Sequence, residues 1–269
     1  MVEYKKKEKI KFFPLRILVP NILTIAGLCF GLTAIRFALD NQFGSAVLFM
    51  LLAGIIDGLD GRVARLLKGD TKFGAELDSL SDIVNFGIAP ALTLYFWSLR
   101  DLGLVGWVIL LIFVVCSALR LARFNTDFDD SDKPEWTANY FIGVPTPAGA
   151  GIALLPLVFS FLNFEFILLY KSLLSFGFVT FSSILMISKI PTFSFKKIKV
   201  RRDLVLLTLL SISLLMTALL YFTWEFLSII GGLYLLSIPV SFYLSKKDER
   251  KYEKFSVVKE NDDFQEKIM

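Results

Sequence analysis

Histidine is absent from this 269-residue chain. That removes imidazole general bases, Ser/His/Asp triads and His-ligated zinc or haem from the chemistry open to it. Cysteine is scarce: Cys29 and Cys116 sit far apart inside apolar segments, without metal-ligand or paired spacing, and read as small buried hydrophobes. Charge is sparse and gathered in blocks, at 20% of residues against 55% hydrophobic, and mean hydropathy is +0.64. A soluble domain is excluded on that balance. The basic start, MVEYKKKEKIKFFPLR, leads into an apolar stretch of full membrane-span length, so no cleaved signal peptide is expected.

What remains is a series of long apolar runs. About 20 apolar residues suffice to cross a bilayer as a helix, and lipid-facing backbone must be helical. Eight runs qualify, at about 19–37, 44–66, 76–97, 104–123, 142–162, 168–188, 204–222 and 226–244. The connections alternate in character. Only Arg36, Arg100 and Lys171 fall on one side, and the rest of the 29 Lys and Arg fall on the other. The positive-inside rule then puts both termini in the cytoplasm, which requires an even number of spans. The expected fold is an all-α integral membrane protein with a six-helix transmembrane core and two additional C-terminal helices. Its parts are a basic, amphipathic segment at 1–18, the core at 19–188, a basic loop and two extra spans at 189–244, and a polar tail at 245–269. The extra spans have no interior acids and are expected to pack rather than to do chemistry. The clusters FKKIKVRR and KKDERKYEK read as topology signals that favour anionic headgroups, and nothing in them suggests nucleic acid.

Acidic residues inside a span are expensive and so are functional candidates. Asp57, Asp60, Gly61 and Ala64 recur at i, i+3, i+4 and i+7 on the second run; Gly74, Asp78 and Asp82 recur at i, i+4 and i+8 on the third. A short cytoplasmic turn joins these runs, so the two stripes are expected to face each other. Four converging carboxylates cannot all stay ionised without compensation. Protonation is one relief; hard divalent ions on oxygen ligands are a better one, and Mg²⁺ or Mn²⁺ suits a set without His or Cys. A charged network that merely holds helices together would not require this spacing. Gly61, Ala64 and Gly74 keep bulk away from the acids, and Arg65 brings a guanidinium to the same end. Small surfaces, an Arg and paired metals suit a diphosphate ester.

The pattern Asp57-x2-Asp60-Gly61-x2-Ala64-Arg65-x8-Gly74-x3-Asp78-x3-Asp82 resembles the signature of the CDP-alcohol phosphatidyltransferase family at every fixed position. The resemblance implies six core spans with the site at their cytoplasmic end. It implies that Asp57, Asp60 and Asp78 ligate two divalent metals that hold the diphosphate. Asp82 would complete the metal site and act as general base, while Gly61, Ala64, Arg65 and Gly74 surround the cytidine nucleotide. A homodimer in a bacterial inner membrane is also implied.

Three further stretches, DSLSDIVNFGIAP, ALRLARFN and FIGVPTPAGAG, resemble the serine-accepting branch of that family, which acts on CDP-diacylglycerol. Arg120 and Arg123 are candidates for the serine carboxylate, with Asn125, Asn85 and Ser81 for its ammonium or hydroxyl. Rival acceptors are glycerol 3-phosphate, inositol phosphate and choline; the first two would require an extra cationic pocket and choline an aromatic cage. A divalent-cation transporter is the rival of another class. It would be expected to carry acids at depth in both halves, whereas runs five to eight have only Glu165 and Glu225, at their outer ends.

Overall fold

The structure, a computed structural model, describes residues 15–69, 71–127, 140–193 and 204–266. The basic N-terminus up to residue 14, most of the 124–141 connection and the FKKIKVRR cluster lie outside the described residues. What is described is almost wholly helical.

Helix α1 (Leu15–Leu39) is followed by α2 (Phe43–Leu67). Along α1 the buried positions are Pro20, Thr24, Gly27, Gly31, Ala34 and Ala38, a stripe of small residues at helical spacing. Lipid gives no hydrophobic drive for helices to associate, so small side chains that let backbones approach are what hold such pairs. This stripe packs along α2, which answers with Ala46, Val47, Met50 and Ala53. The opposite face of α1 exposes Leu18, Ile22, Ile25 and Leu32, as a bilayer-facing surface does.

The α2 end is closed by Lys68 in the left-handed region (φ 49°), with the Gly69 N–H donating to the Ala64 carbonyl at 2.9 Å. Thr71 then caps α3 (Lys72–Asp82), its hydroxyl accepting from the Gly74 N–H at 3.0 Å. The third apolar run is helical throughout but not uniform. A π-helical segment, Ile83–Ile88, separates α3 from α4 (Ala89–Trp97). The wider turn rotates the Asp78/Asp82 stripe relative to the apolar face of α4.

A short 3₁₀ turn, Leu99–Leu102, leads to α5 (Leu104–Asp127). Two departures from an all-helical layout follow. Strand β1 (Tyr140–Ile142) stands where the fifth run was expected to begin, and it pairs antiparallel with β2 (Pro191–Phe193). Helix α6 (Thr146–Ser160) is therefore shorter than the 142–162 run. At ~1.5 Å per residue it covers about 22 Å of a roughly 30 Å hydrocarbon core. Most of α6 is buried among other helices, where a short helix with irregular ends is tolerated. After α7 (Glu165–Leu169) and α8 (Lys171–Ile187), α9 (Val205–Tyr221) buries no residue, and among the described residues it packs chiefly on the last helix, α10 (Thr223–Glu266).

Four of these helices are long and apolar enough to cross a membrane: Leu18–Leu39, Phe43–Leu67, Leu104–Thr126 and Thr223–Lys247. The chain is an all-α membrane protein apart from the β1–β2 pair. Helix α10 continues past residue 245, where the polar tail was expected to begin, to Glu266. The sequence there is rich in Lys and Glu and has no Gly or Pro, which leaves nothing to stop a helix.

Candidate active site

Helices α2 and α3 each pack chiefly against α1, and their acidic stripes meet beside it. One carboxylate oxygen from each of Asp57, Asp78 and Asp82 lies within 4.8 Å of the others. The Asp57 and Asp82 carboxyls are in direct contact, and Asp82 Oδ1 is buried with no hydrogen-bond donor. Among the described residues no Lys or Arg forms an ion pair with the three. A partly buried acidic cluster without a cationic partner fits a bound cation well.

Asp60 departs from the expected ring of four. It faces α1, where its Oδ2 accepts a 2.7 Å hydrogen bond from the Thr24 hydroxyl, with both residues buried. The same hydroxyl lies 3.1 Å from the Pro20 carbonyl. Asp60 thus stands next to the cluster with one oxygen already committed.

A cleft of about 180 Å³ opens beside Asp60 and Asp78. Gly61, Ala64 and Gly74 line it, joined by Asn21, Thr24 and Thr71. A Cβ added at Gly61 would meet no atom within 4 Å, so it would project into open space at the cleft wall. One added at Gly74 would come within 2.9 Å of Asn21 Oδ1, so Gly74 is what lets α1 and α3 close around the cleft. Arg65 is exposed on the last turn of α2 and is not part of the cleft wall. The contributions of Pro20, Asn21 and Thr24 were missed from sequence. The only local signal was a Pro-Asn pair opening an apolar run.

The residues proposed for the acceptor separate in space. Arg120 is buried, 7% exposed, with its guanidinium 4.9 Å from the Phe124 ring and within electrostatic reach of Asp82. Arg123 is committed elsewhere. It donates to the carbonyls of Ile142, Met186, Ile187 and Ser188 at 3.0–3.4 Å, tying α5 to the end of α8 and to β1. Gly143 permits this, since its φ is +78° and an added Cβ would lie 2.7 Å from Arg123 Nη2. Asn85 is packed against Gly31 of α1 and donates to Ser81 Oγ at 3.1 Å. Ser81 turns to the Thr24 carbonyl at 3.4 Å, and Asn125 donates to Ser79 Oγ at 2.9 Å. That leaves Arg120 within electrostatic reach of Asp82, and Asn85 Oδ1 buried without a partner.

The CDP-alcohol phosphatidyltransferase family model matches residues 17–184. The CDP-diacylglycerol–serine O-phosphatidyltransferase of Mycobacterium leprae (strain TN) is 44% identical over 181 residues, 65% of this chain and 57% of that protein. The Helicobacter pylori (strain J99) protein of the same name is 38% identical over 219 residues, 81% of this chain and 88% of its own length. The Bacillus subtilis (strain 168) one is 37% identical over 143 residues, 53% and 76% of the two chains. The alignment thus spans little more than half of the mycobacterial relative.

Proposed function

The chain belongs to the CDP-alcohol phosphatidyltransferase family, and from that premise we propose that it transfers the phosphatidyl group of CDP-diacylglycerol to the hydroxyl of L-serine and releases CMP. The observation that carries this reading is the Asp57/Asp78/Asp82 cluster beside a small-residue cleft at one end of α2 and α3. The names of the relatives favour serine over the rival alcohols.

Asp57, Asp60, Asp78 and Asp82 would hold two divalent ions, Mg²⁺ or Mn²⁺. When bound, such ions neutralise the diphosphate and the departing CMP. The unpartnered Asp82 Oδ1 and the lack of a neighbouring ion pair among the described residues support that assignment. The protein's own groups do the rest. Gly61, Ala64 and Gly74 shape the wall on which the nucleotide lies, and Arg65 reaches it from the rim. Arg120 receives the serine carboxylate and so orients the hydroxyl toward Asp82. Asp82 takes the hydroxyl proton as the serine oxygen forms its bond to the phosphorus carrying diacylglycerol. The bond from that phosphorus to CMP breaks, and the electron pair leaves with CMP. An apolar cavity of about 470 Å³ lies between α2, α4, α6 and α10.

Arg123, Asn125 and Ser81 belong to the scaffold of the acceptor side in this proposal, because their side chains are spent on protein partners; Asn85 donates to Ser81, but its buried Oδ1 has no partner. The topology proposed is eight crossings, with both termini and the site on the cytoplasmic face of a bacterial inner membrane. Each of the eight apolar runs is mostly helical, and the Lys/Arg asymmetry favours that orientation. We also propose a homodimer, as the family implies. The direct test is purified protein with CDP-diacylglycerol, Mn²⁺ or Mg²⁺, and L-serine, glycerol 3-phosphate, inositol phosphate or choline in separate reactions. CMP release with serine alone is the expected result; release with glycerol 3-phosphate and not serine would overturn the acceptor assignment.

A further inference from the structure

Helix α10 lies beyond residues 17–184 and was expected to serve packing alone. It is docked tightly. A Cβ added at Gly231 would overlap Leu155 Cδ2 of α6, and Ile238 joins Val144, Ile152 and Leu185 in an apolar cluster. Between these two contacts the inward face of α10 carries Tyr234, which forms part of the wall of the 470 Å³ cavity.

The Tyr234 hydroxyl is buried and has no partner in hydrogen-bond geometry. Thr192 is near it but outside hydrogen-bond geometry, and the Thr192 hydroxyl donates to the Gly143 carbonyl at 2.9 Å. Tyr234 also lies within electrostatic reach of Arg120, as Asp82 does. Arg120 is therefore within electrostatic reach of both the acidic cluster and a phenol, buried and without an ion pair among the described residues. A buried hydroxyl without a hydrogen-bond partner, within electrostatic reach of a buried guanidinium without an ion pair among the described residues, is costly to leave unsatisfied. One small polar ligand satisfies both.

We infer that Tyr234 is an acceptor-binding residue: its hydroxyl hydrogen-bonds the alcohol substrate whose carboxylate Arg120 holds, so that the last helix completes the active site. The inference rests on the reading of the chain as a serine-accepting transferase. It gives α10 a chemical role that residues within 17–184 do not supply, and it explains why Gly231 and Ile238 dock that helix so closely.

The test is Tyr234→Phe in the full chain, which keeps the ring and its packing and removes only the hydroxyl. CMP release is followed against L-serine at saturating CDP-diacylglycerol, then against CDP-diacylglycerol at saturating serine, with the melting temperature measured beside both. A lost hydrogen bond to a charged substrate should raise the serine KM about tenfold or more. The lipid KM and the melting temperature should not move. An unchanged serine KM overturns the inference, and so does a parallel rise in both KM values with a fall in melting temperature, which is what a packing role alone would give. Wild-type protein that is inactive with serine but active with another alcohol defeats the serine assignment separately, and Tyr234→Phe is then read on that alcohol by the same criteria. Absence of CMP release with every alcohol would overturn both readings.

Discussion

Removing the Thr24 hydroxyl should weaken the metal site from a residue that touches no metal. Thr24 lies on α1, outside the acidic signature, yet its hydroxyl donates to Asp60 Oδ2 at 2.7 Å with both residues buried. Thr24→Val keeps the branched shape and deletes the donor, leaving one oxygen of a buried carboxylate without its partner. A hydrogen bond to a charged group contributes about 1.5–3 kcal/mol, which converts at ~1.4 kcal/mol per decade to roughly 10–100-fold. The same range is typical when a partner that orients a metal-binding carboxylate is lost. The assay is the Mn²⁺ concentration that gives half-maximal CMP release from purified protein, measured for wild type, Thr24→Val and Thr24→Ser. The valine variant should need at least about tenfold more metal, and serine should restore the wild-type requirement. Equal requirements in all three proteins would refute the reasoning, because Asp60 would then either not bind metal or not depend on Thr24.

Three other outcomes are expected. Gly61→Val adds bulk that meets no protein atom but projects at the cleft wall, so CDP affinity by calorimetry should fall about tenfold or more while the melting temperature stays put. Arg123→Ala strips four backbone carbonyls of their donor and should cost about 2–4 kcal/mol of stability, with the serine KM of the folded fraction unchanged. Gly31→Ala drives a methyl into Asn85, whose Cγ would lie 3.1 Å from it, and overpacking of that kind should cost about 1–3 kcal/mol by thermal denaturation.

The acidic stripes were legible because helical spacing alone puts Asp57 and Asp60, and Asp78 and Asp82, on single faces. The same rule could not separate Asp60 from the other three. That difference comes from Thr24, 36 residues earlier, and from α1 lying against both α2 and α3. Arg123 looked like a carboxylate receptor because an Arg beside a span end has that chemistry; its four acceptors are contributed by residues 142 and 186–188, which no local pattern connects to it. The π segment after Asp82 was invisible for a related reason. It satisfies apolar periodicity on both sides and breaks register only in the middle, where Gly87 admits Ile83 and Ser117 to close contact. Helix α10 read as filler because its inward Tyr is one aromatic among many in an apolar sequence.

The account depends most on Asp57, Asp78 and Asp82 jointly holding divalent cations that the transfer requires. Protein stripped by exhaustive chelation and assayed with CDP-diacylglycerol and serine should release no CMP, and added Mn²⁺ or Mg²⁺ should restore release in wild type but not in Asp82→Asn. Undiminished turnover after chelation, or full recovery in Asp82→Asn, would contradict it.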